Sequence, residues 1–110
     1  MKLILMATLF NPTAANQELT KEPVVQAVHC SVYALVASTH IPSDRLKEQW
    51  RYESTEWSKE AFKIGASDQE YFLTSENGFE LFDEMMEGER LGVASYLYRT
   101  EGCTNGRTYN

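Results

Sequence analysis

The chain of 110 residues carries a formal net charge of −6, and 43% of its residues are apolar. This length suits a single domain, residues 1–110, around one core, and the apolar content is too high for a disordered chain. The negative charge argues against direct binding to nucleic acid or to a membrane, because both favour Lys and Arg, and it suits a partner protein with a basic surface.

The first predicted element is a strand. Residues 3–10 form a continuous apolar run that ends at Asn11-Pro12, which is typical of a strand buried on both faces and central in its sheet. The same run, with Lys2 before it and small residues after it, also imitates a short secretory signal.

The cysteine content bears on the compartment. Cys30 and Cys103 form no C-x-x-C pair, so they predict neither a disulfide framework nor a zinc site. A reduced, cytoplasmic setting is the default, and secretion is the alternative if residues 1–15 act as a signal peptide. The sequence leaves open whether the two cysteines are bonded to each other.

Two helices are predicted next. Residues 23–38 place Leu35 and several valines on one helical stripe, although five valines make a strand the alternative. Residues 44–64 have the apolar spacing of a long helix that is capped by Ser43 and ended by Gly65, with an interruption at Ser54-Thr55 as the alternative.

An acidic segment, residues 68–89, contains eight of the sixteen acidic residues of the chain and no Lys or Arg. Residues 70–74 predict a short strand. Residues 75–87 predict a helix that Ser75 caps and Gly88 ends, with an apolar stripe that faces the core.

Five carboxylates fall within roughly one quadrant of that predicted helix, turned away from its apolar stripe. We call them the acidic stripe: Glu76, Glu80, Asp83, Glu84 and Glu87. A solvated face is the plain interpretation, and a docking surface for basic groups of a partner is the functional one. The calcium-loop pattern is absent, so no metal or cofactor is predicted.

The C-terminal part is predicted to be β-structure. The side chains of residues 91–100 alternate between two faces as in a strand, which places Tyr96 and Tyr98 on one face. There the two tyrosines either extend the acidic stripe or pack under a helix. Asn105-Gly106 predicts a hairpin turn. The predicted fold class is therefore α+β, in the order β-α-α-β-α-β plus a C-terminal hairpin, with a mostly antiparallel sheet of three strands and helices on one side.

Cys30 lies in the run HCSVYALV, which Ile41-Pro42 and Gln49-Trp50 follow. This region resembles the surroundings of the catalytic cysteine in the NlpC-type cell-wall peptidases, where the cysteine also opens a helix. The resemblance implies a small cysteine hydrolase, or a degenerate relative, built on Cys30. In that family the catalytic His lies on a later strand, whereas no His follows His40 here. The other interpretation is a small buried residue.

The leading functional hypothesis is a non-catalytic acidic binding protein that uses the acidic stripe, Tyr96 and Tyr98 to occupy a basic, nucleic-acid-binding type of surface on a partner protein. Immunity proteins and phage-encoded inhibitors bind their targets through charge complementarity of this kind. The alternatives are the cysteine hydrolase and a structural homo-oligomer with its acidic face outside.

Overall fold

The computed structural model describes residues 22–104, which form four α-helices and no strand. The prediction of an α+β fold with a three-stranded sheet is therefore wrong for this part of the chain, which is all-helical. The helices are α1 (Glu22–His40), α2 (Asp44–Lys63), α3 (Asp68–Asp83) and α4 (Glu87–Thr100). None of these helices is long and apolar enough to cross a membrane.

Helix α1 is the centre of the fold. Eleven of its nineteen residues are buried, and it packs against each of the other three helices. A helix that is apolar nearly all round is stable only when other elements cover it. The helical prediction for residues 23–38 is confirmed, and four of the five valines that made a strand the alternative line the core instead.

Helix α2 begins and ends as predicted. The Ser43 hydroxyl accepts a hydrogen bond from the backbone N–H of Leu46 at 3.2 Å, and Gly65 follows the helix with a φ of 115°, which favours glycine. The helix is not interrupted at Ser54-Thr55. Ser54 is buried there, and its hydroxyl donates to the backbone oxygen of Ser31 in α1 at 2.9 Å.

The predicted strand at residues 70–74 is wrong, because these residues belong to α3. This helix starts from a capping box at Ser67 rather than at Ser75. The Ser67 hydroxyl accepts from the Glu70 N–H at 3.0 Å, and the Glu70 carboxylate accepts from the Ser67 N–H at 2.9 Å. Because these two bonds satisfy free backbone N–H groups, they stabilise a helix through a run with strand-like composition.

The predicted strand at residues 91–100 is also wrong, because these residues form most of α4. Ala94 and Tyr98 are buried and Leu91 is partly buried, which is the spacing of a helix face. The predicted strand at residues 3–10 and the hairpin at residues 105–106 lie outside the described residues.

A disulfide bond joins Cys30 in α1 to Cys103 in the turn after α4, with 5.5 Å between the two Cα atoms. Both cysteines are fully buried. Two hydrogen bonds hold the same turn on α1: the Gln26 amide donates to the backbone oxygen of Glu101 at 2.9 Å, and the Tyr33 hydroxyl donates to its carboxylate at 3.0 Å. The C-terminal end of the bundle is thus fixed to the central helix.

A buried polar network joins α2 to α4. The Trp57 indole N–H donates to the Tyr98 hydroxyl at 2.9 Å, and this hydroxyl donates to the Glu53 carboxylate at 2.9 Å. Trp50 packs edge-on against the Tyr98 ring, with 5.0 Å between the ring centroids. A buried hydroxyl that both accepts and donates holds the two helices in one relative position.

Candidate functional site: the acidic stripe

The part of the acidic stripe on α3 lies on the solvent side of the helix. Glu76, Glu80 and Asp83 are all exposed, and at 100° per residue they fall within about 60° of one another. The opposite side of α3 carries Gly78 and Phe82, which are buried against α1. The stripe is therefore the outer face of a helix whose inner face is held in the core.

The stripe continues beyond the helix. Glu84 is the C-terminal cap residue of α3, and Glu87 is the first residue of α4. Both are exposed. The structure thus brings the five predicted carboxylates to the surface along α3 and the turn after it, rather than along one continuous helix.

No ion pair within residues 22–104 includes a carboxylate of the stripe. The ion pairs in this part of the chain are Arg51–Glu48 and Lys59–Glu56, and both lie within α2. Arg90 approaches the stripe, but it donates to the backbone oxygen of Asp83 at 3.5 Å rather than to its carboxylate. The negative charge therefore faces solvent.

Exposed apolar residues border the stripe, and the sequence did not single them out. Phe72 is 60% exposed and Leu73 is 52% exposed. On the helical wheel of α3 they lie on opposite sides of the stripe, within about 60° of Glu76. The outer face of α3 thus combines carboxylates with large apolar side chains.

The two predicted tyrosines do not share a surface. Tyr96 is 59% exposed, whereas Tyr98 is fully buried in the network with Glu53 and Trp57. In a helix, residues two apart point about 200° away from each other, so the pairing expected for a strand does not occur. Tyr96 remains available to a partner and Tyr98 has a structural position.

Two cavities open at the ends of α1. The smaller, about 210 Å³, lies between α1, α3 and α4 beside Asp83, and the larger, about 420 Å³, lies at the first turns of α1 beside Glu101. His29 lines the larger cavity, and its buried Nε2 has no hydrogen-bond partner among the described residues. Burial lowers the pKa of His29, and the nearby Glu101 carboxylate opposes this effect.

The arrangement of the described residues gives little support to metal binding or to catalysis by a cysteine nucleophile. Residues 22–104 contain no group of three or more His, Cys, Asp or Glu side chains placed to hold a metal ion. Cys30 has no free thiol, because its sulfur is bonded to Cys103 and is inaccessible to solvent. A nucleophilic cysteine requires an accessible thiolate, so Cys30 cannot attack a substrate in this state.

Comparison with known proteins offers no function to transfer. No family model matches the chain, and no curated protein or solved structure is significantly similar to it.

Proposed function

We propose that this protein is a non-catalytic binding protein that uses the acidic stripe to occupy a basic surface of a partner protein. The observation that carries the proposal is that all five carboxylates are exposed and that no ion pair within residues 22–104 includes them. Carboxylates one helical turn apart, about 6 Å along the axis, can accept hydrogen bonds from Arg and Lys groups that otherwise bind phosphates.

The stripe lowers the stability of the helix that carries it. Like charges four residues apart, as in Glu76 with Glu80 and Glu80 with Glu84, cost about 0.2–0.5 kcal/mol each. The helix dipole also disfavours a carboxylate at Asp83, which ends α3. An uncompensated local cost of this kind is typical of functional surfaces, because a partner with positive charge removes it on binding.

The apolar border of the stripe strengthens the case for a protein partner. Charge complementarity mainly raises association rates and selects partners, whereas buried apolar and aromatic side chains supply most of the affinity. Phe72 and Leu73 offer that area next to Glu76. The resulting mixed surface suits an inhibitor or immunity-type protein that blocks a basic, nucleic-acid-binding site on its target.

The disulfide bears on where this binding takes place. Bonds between cysteines form and persist in oxidising compartments and are rare in the cytosol. The Cys30–Cys103 bond therefore supports the secretion alternative over the cytoplasmic prediction. The partner would be a basic protein present in the same compartment.

The alternative functions have less support. A structural homo-oligomer with its acidic face outside would assign no role to the exposed Phe72 and Leu73 that border the stripe. A cysteine hydrolase built on Cys30 would require the disulfide to open and its buried sulfur to reach solvent.

Charge reversal tests the proposal. The stripe variant carries Glu80→Lys, Asp83→Lys and Glu84→Lys, and the control variant carries the same charge change on α2. The control substitutions are Glu48→Lys, Glu56→Lys and Glu60→Lys. We expect both variants to keep their helical circular dichroism, because the substituted side chains lie outside the core.

Binding is measured by affinity capture at low salt from an extract of secreted and envelope proteins, followed by elution with salt. We expect native protein and the α2 control to retain the same basic protein and to release it as salt rises, because exposed charge pairs are screened. The stripe variant should retain none of it. Equal retention by the stripe variant would overturn the proposal.

A further inference from the structure

The smaller cavity adjoins the acidic stripe. It opens between the C-terminal end of α1, the last turns of α3 and the start of α4, and has a volume of about 210 Å³. Asp83 belongs both to the stripe and to the wall of this cavity. A partner that covers the stripe therefore reaches the cavity as well.

The cavity has an apolar interior and a polar rim. Val36 and Phe82, which line it, are 7% and 3% exposed, whereas Leu35 at its wall is 40% exposed. Phe79 completes the apolar lining, and the polar lining residues are Thr39, His40, Asp83 and Arg90. An apolar pocket surrounded by polar groups is the usual setting of an interface hot spot.

Two of the four polar rim residues make local hydrogen bonds. The Thr39 hydroxyl donates to the backbone oxygen of Leu35 at 3.0 Å, so it already has a partner within α1. Arg90 donates to the backbone oxygen of Asp83 at 3.5 Å, which ties the start of α4 to the end of α3. The walls thus come from three helices that are already connected, so the cavity exists before a partner arrives.

The volume indicates what the cavity can hold. Sites for drug-sized ligands usually measure about 300–1,000 Å³, which is larger than this cavity, whereas an apolar cavity of about 150 Å³ in another protein holds benzene. The cavity of about 210 Å³ therefore accommodates one aromatic or branched aliphatic side chain.

We propose that this cavity receives one apolar side chain of the basic partner, while the acidic stripe binds the Lys and Arg residues on either side of it. This inference rests on the proposed function and specifies the partner's binding segment: a large apolar residue flanked by basic residues. Charge favours that occupant, because the carboxylates of Asp83 at the rim and Glu80 one turn away attract positive neighbours of the inserted group, and the single guanidinium of Arg90 at the same rim only partly offsets them.

Two synthetic peptides serve as probes. Each is blocked at both ends and carries three lysines on either side of one central residue, which is Phe in the first peptide and Ala in the second. We expect the Phe peptide to bind at least about tenfold more tightly in calorimetry, since a buried phenyl group contributes well over 1.4 kcal/mol. In NMR spectra, both peptides should shift the amides of the stripe, and only the Phe peptide should shift those of Leu35, Thr39 and Phe79.

A filled cavity provides the matched test. Thr39→Trp places an indole at the rim and should remove the advantage of the Phe peptide while leaving the affinity of the Ala peptide unchanged. Thr55→Trp, on the exposed side of α2, is the control and should change neither affinity. If Thr39→Trp does not fold, Leu35→Glu at the exposed wall should likewise remove the preference for Phe.

The outcomes separate the two proposals. Equal affinity of the two peptides, with strong salt dependence, would overturn the cavity proposal and leave the role of the stripe intact. A Phe preference that survives charge reversal of the stripe and is insensitive to salt would overturn the role of the stripe and retain an apolar binding cavity. If neither peptide binds, both proposals fail.

Discussion

Reduction of the disulfide bond should remove a large share of the stability of this protein. The bond closes a loop across a sequence separation of 73 residues. For a loop of this length, the chain-entropy relation gives about 15 cal/mol/K of lost unfolded-state entropy, or about 4 kcal/mol at 25 °C. Small domains have free energies of unfolding of about 5–15 kcal/mol, so the bond should contribute between about a quarter and about four-fifths of that stability.

The assay is urea unfolding followed by circular dichroism, with and without a phosphine reductant. We expect the free energy of unfolding to fall by about 4 kcal/mol in the reductant. The double variant Cys30→Ala with Cys103→Ala is the control, because its stability should not respond to the reductant at all. Its own stability should resemble that of the reduced native protein.

Thiol chemistry provides an independent check. Without reductant, the folded protein should contain no titratable thiol at Cys30 or Cys103, because both sulfurs are bonded and buried. A loss of less than about 1 kcal/mol on reduction would contradict the loop-entropy argument. Rapid labelling of Cys30 in the untreated protein would contradict the bond itself and restore the hydrolase hypothesis.

Four further predictions concern the stability of the helical fold, and each is measured by urea unfolding. Gly78→Ala should lower the free energy of unfolding by about 1 kcal/mol, because an added Cβ would lie 3.3 Å from side chains of α1. Gly92→Ala should raise it by about 0.5–1 kcal/mol, because a Cβ there would meet nothing within 4 Å. The same sign for both substitutions would refute this reasoning. Tyr98→Phe should cost about 1–3 kcal/mol by removing the hydroxyl from the buried α2–α4 network, and a neutral effect would count against that network. Ser67→Ala should cost about 1 kcal/mol through loss of the α3 cap, and an unchanged unfolding midpoint would argue that α3 begins elsewhere. The pKa of His29 is lowered in the folded state, so its contribution to the free energy of unfolding should be fully present above the unfolded pKa of about 6.5 and be lost as pH falls from that value through the folded pKa. His29→Gln should therefore flatten the decline of stability from pH 7 to 5. An identical decline in the variant would exclude this residue as a cause.

The two helices that the sequence predicts correctly have strong local signals. Pro23 lies in the first turn of α1, Ser43 caps α2 and Gly65 ends it. The two wrong strands had weak signals. Residues 70–74 are a short run of aromatic and branched residues, whose composition is a weak guide because tertiary packing decides the outcome. Residues 91–100 show an alternation in which Ala94 and Tyr98 share a face of a strand and equally a face of a helix. The sequence did contain a signal against the first of them: Ser67 followed by Glu70 has the spacing of a capping box.

The acidic stripe could be predicted even though the bounds of its helix were wrong. The angles between Glu76, Glu80 and Asp83 depend only on the helical period and not on where the helix begins. The cavity beside Asp83 and the buried position of Tyr98 could not be predicted, because both depend on how separate helices pack. The disulfide was equally out of reach, since the sequence alone does not bring together two cysteines 73 residues apart.

The central position of α1 has a consequence during synthesis. Among the described helices α1 is made first, yet the helices that cover it follow it in the chain. Its valines are therefore not fully covered in the nascent polypeptide until α4 has been translated. A ribosome that stalls before that point releases a product with an open apolar helix, which chaperones and proteases recognise, so abundance in the cell depends on completing the chain.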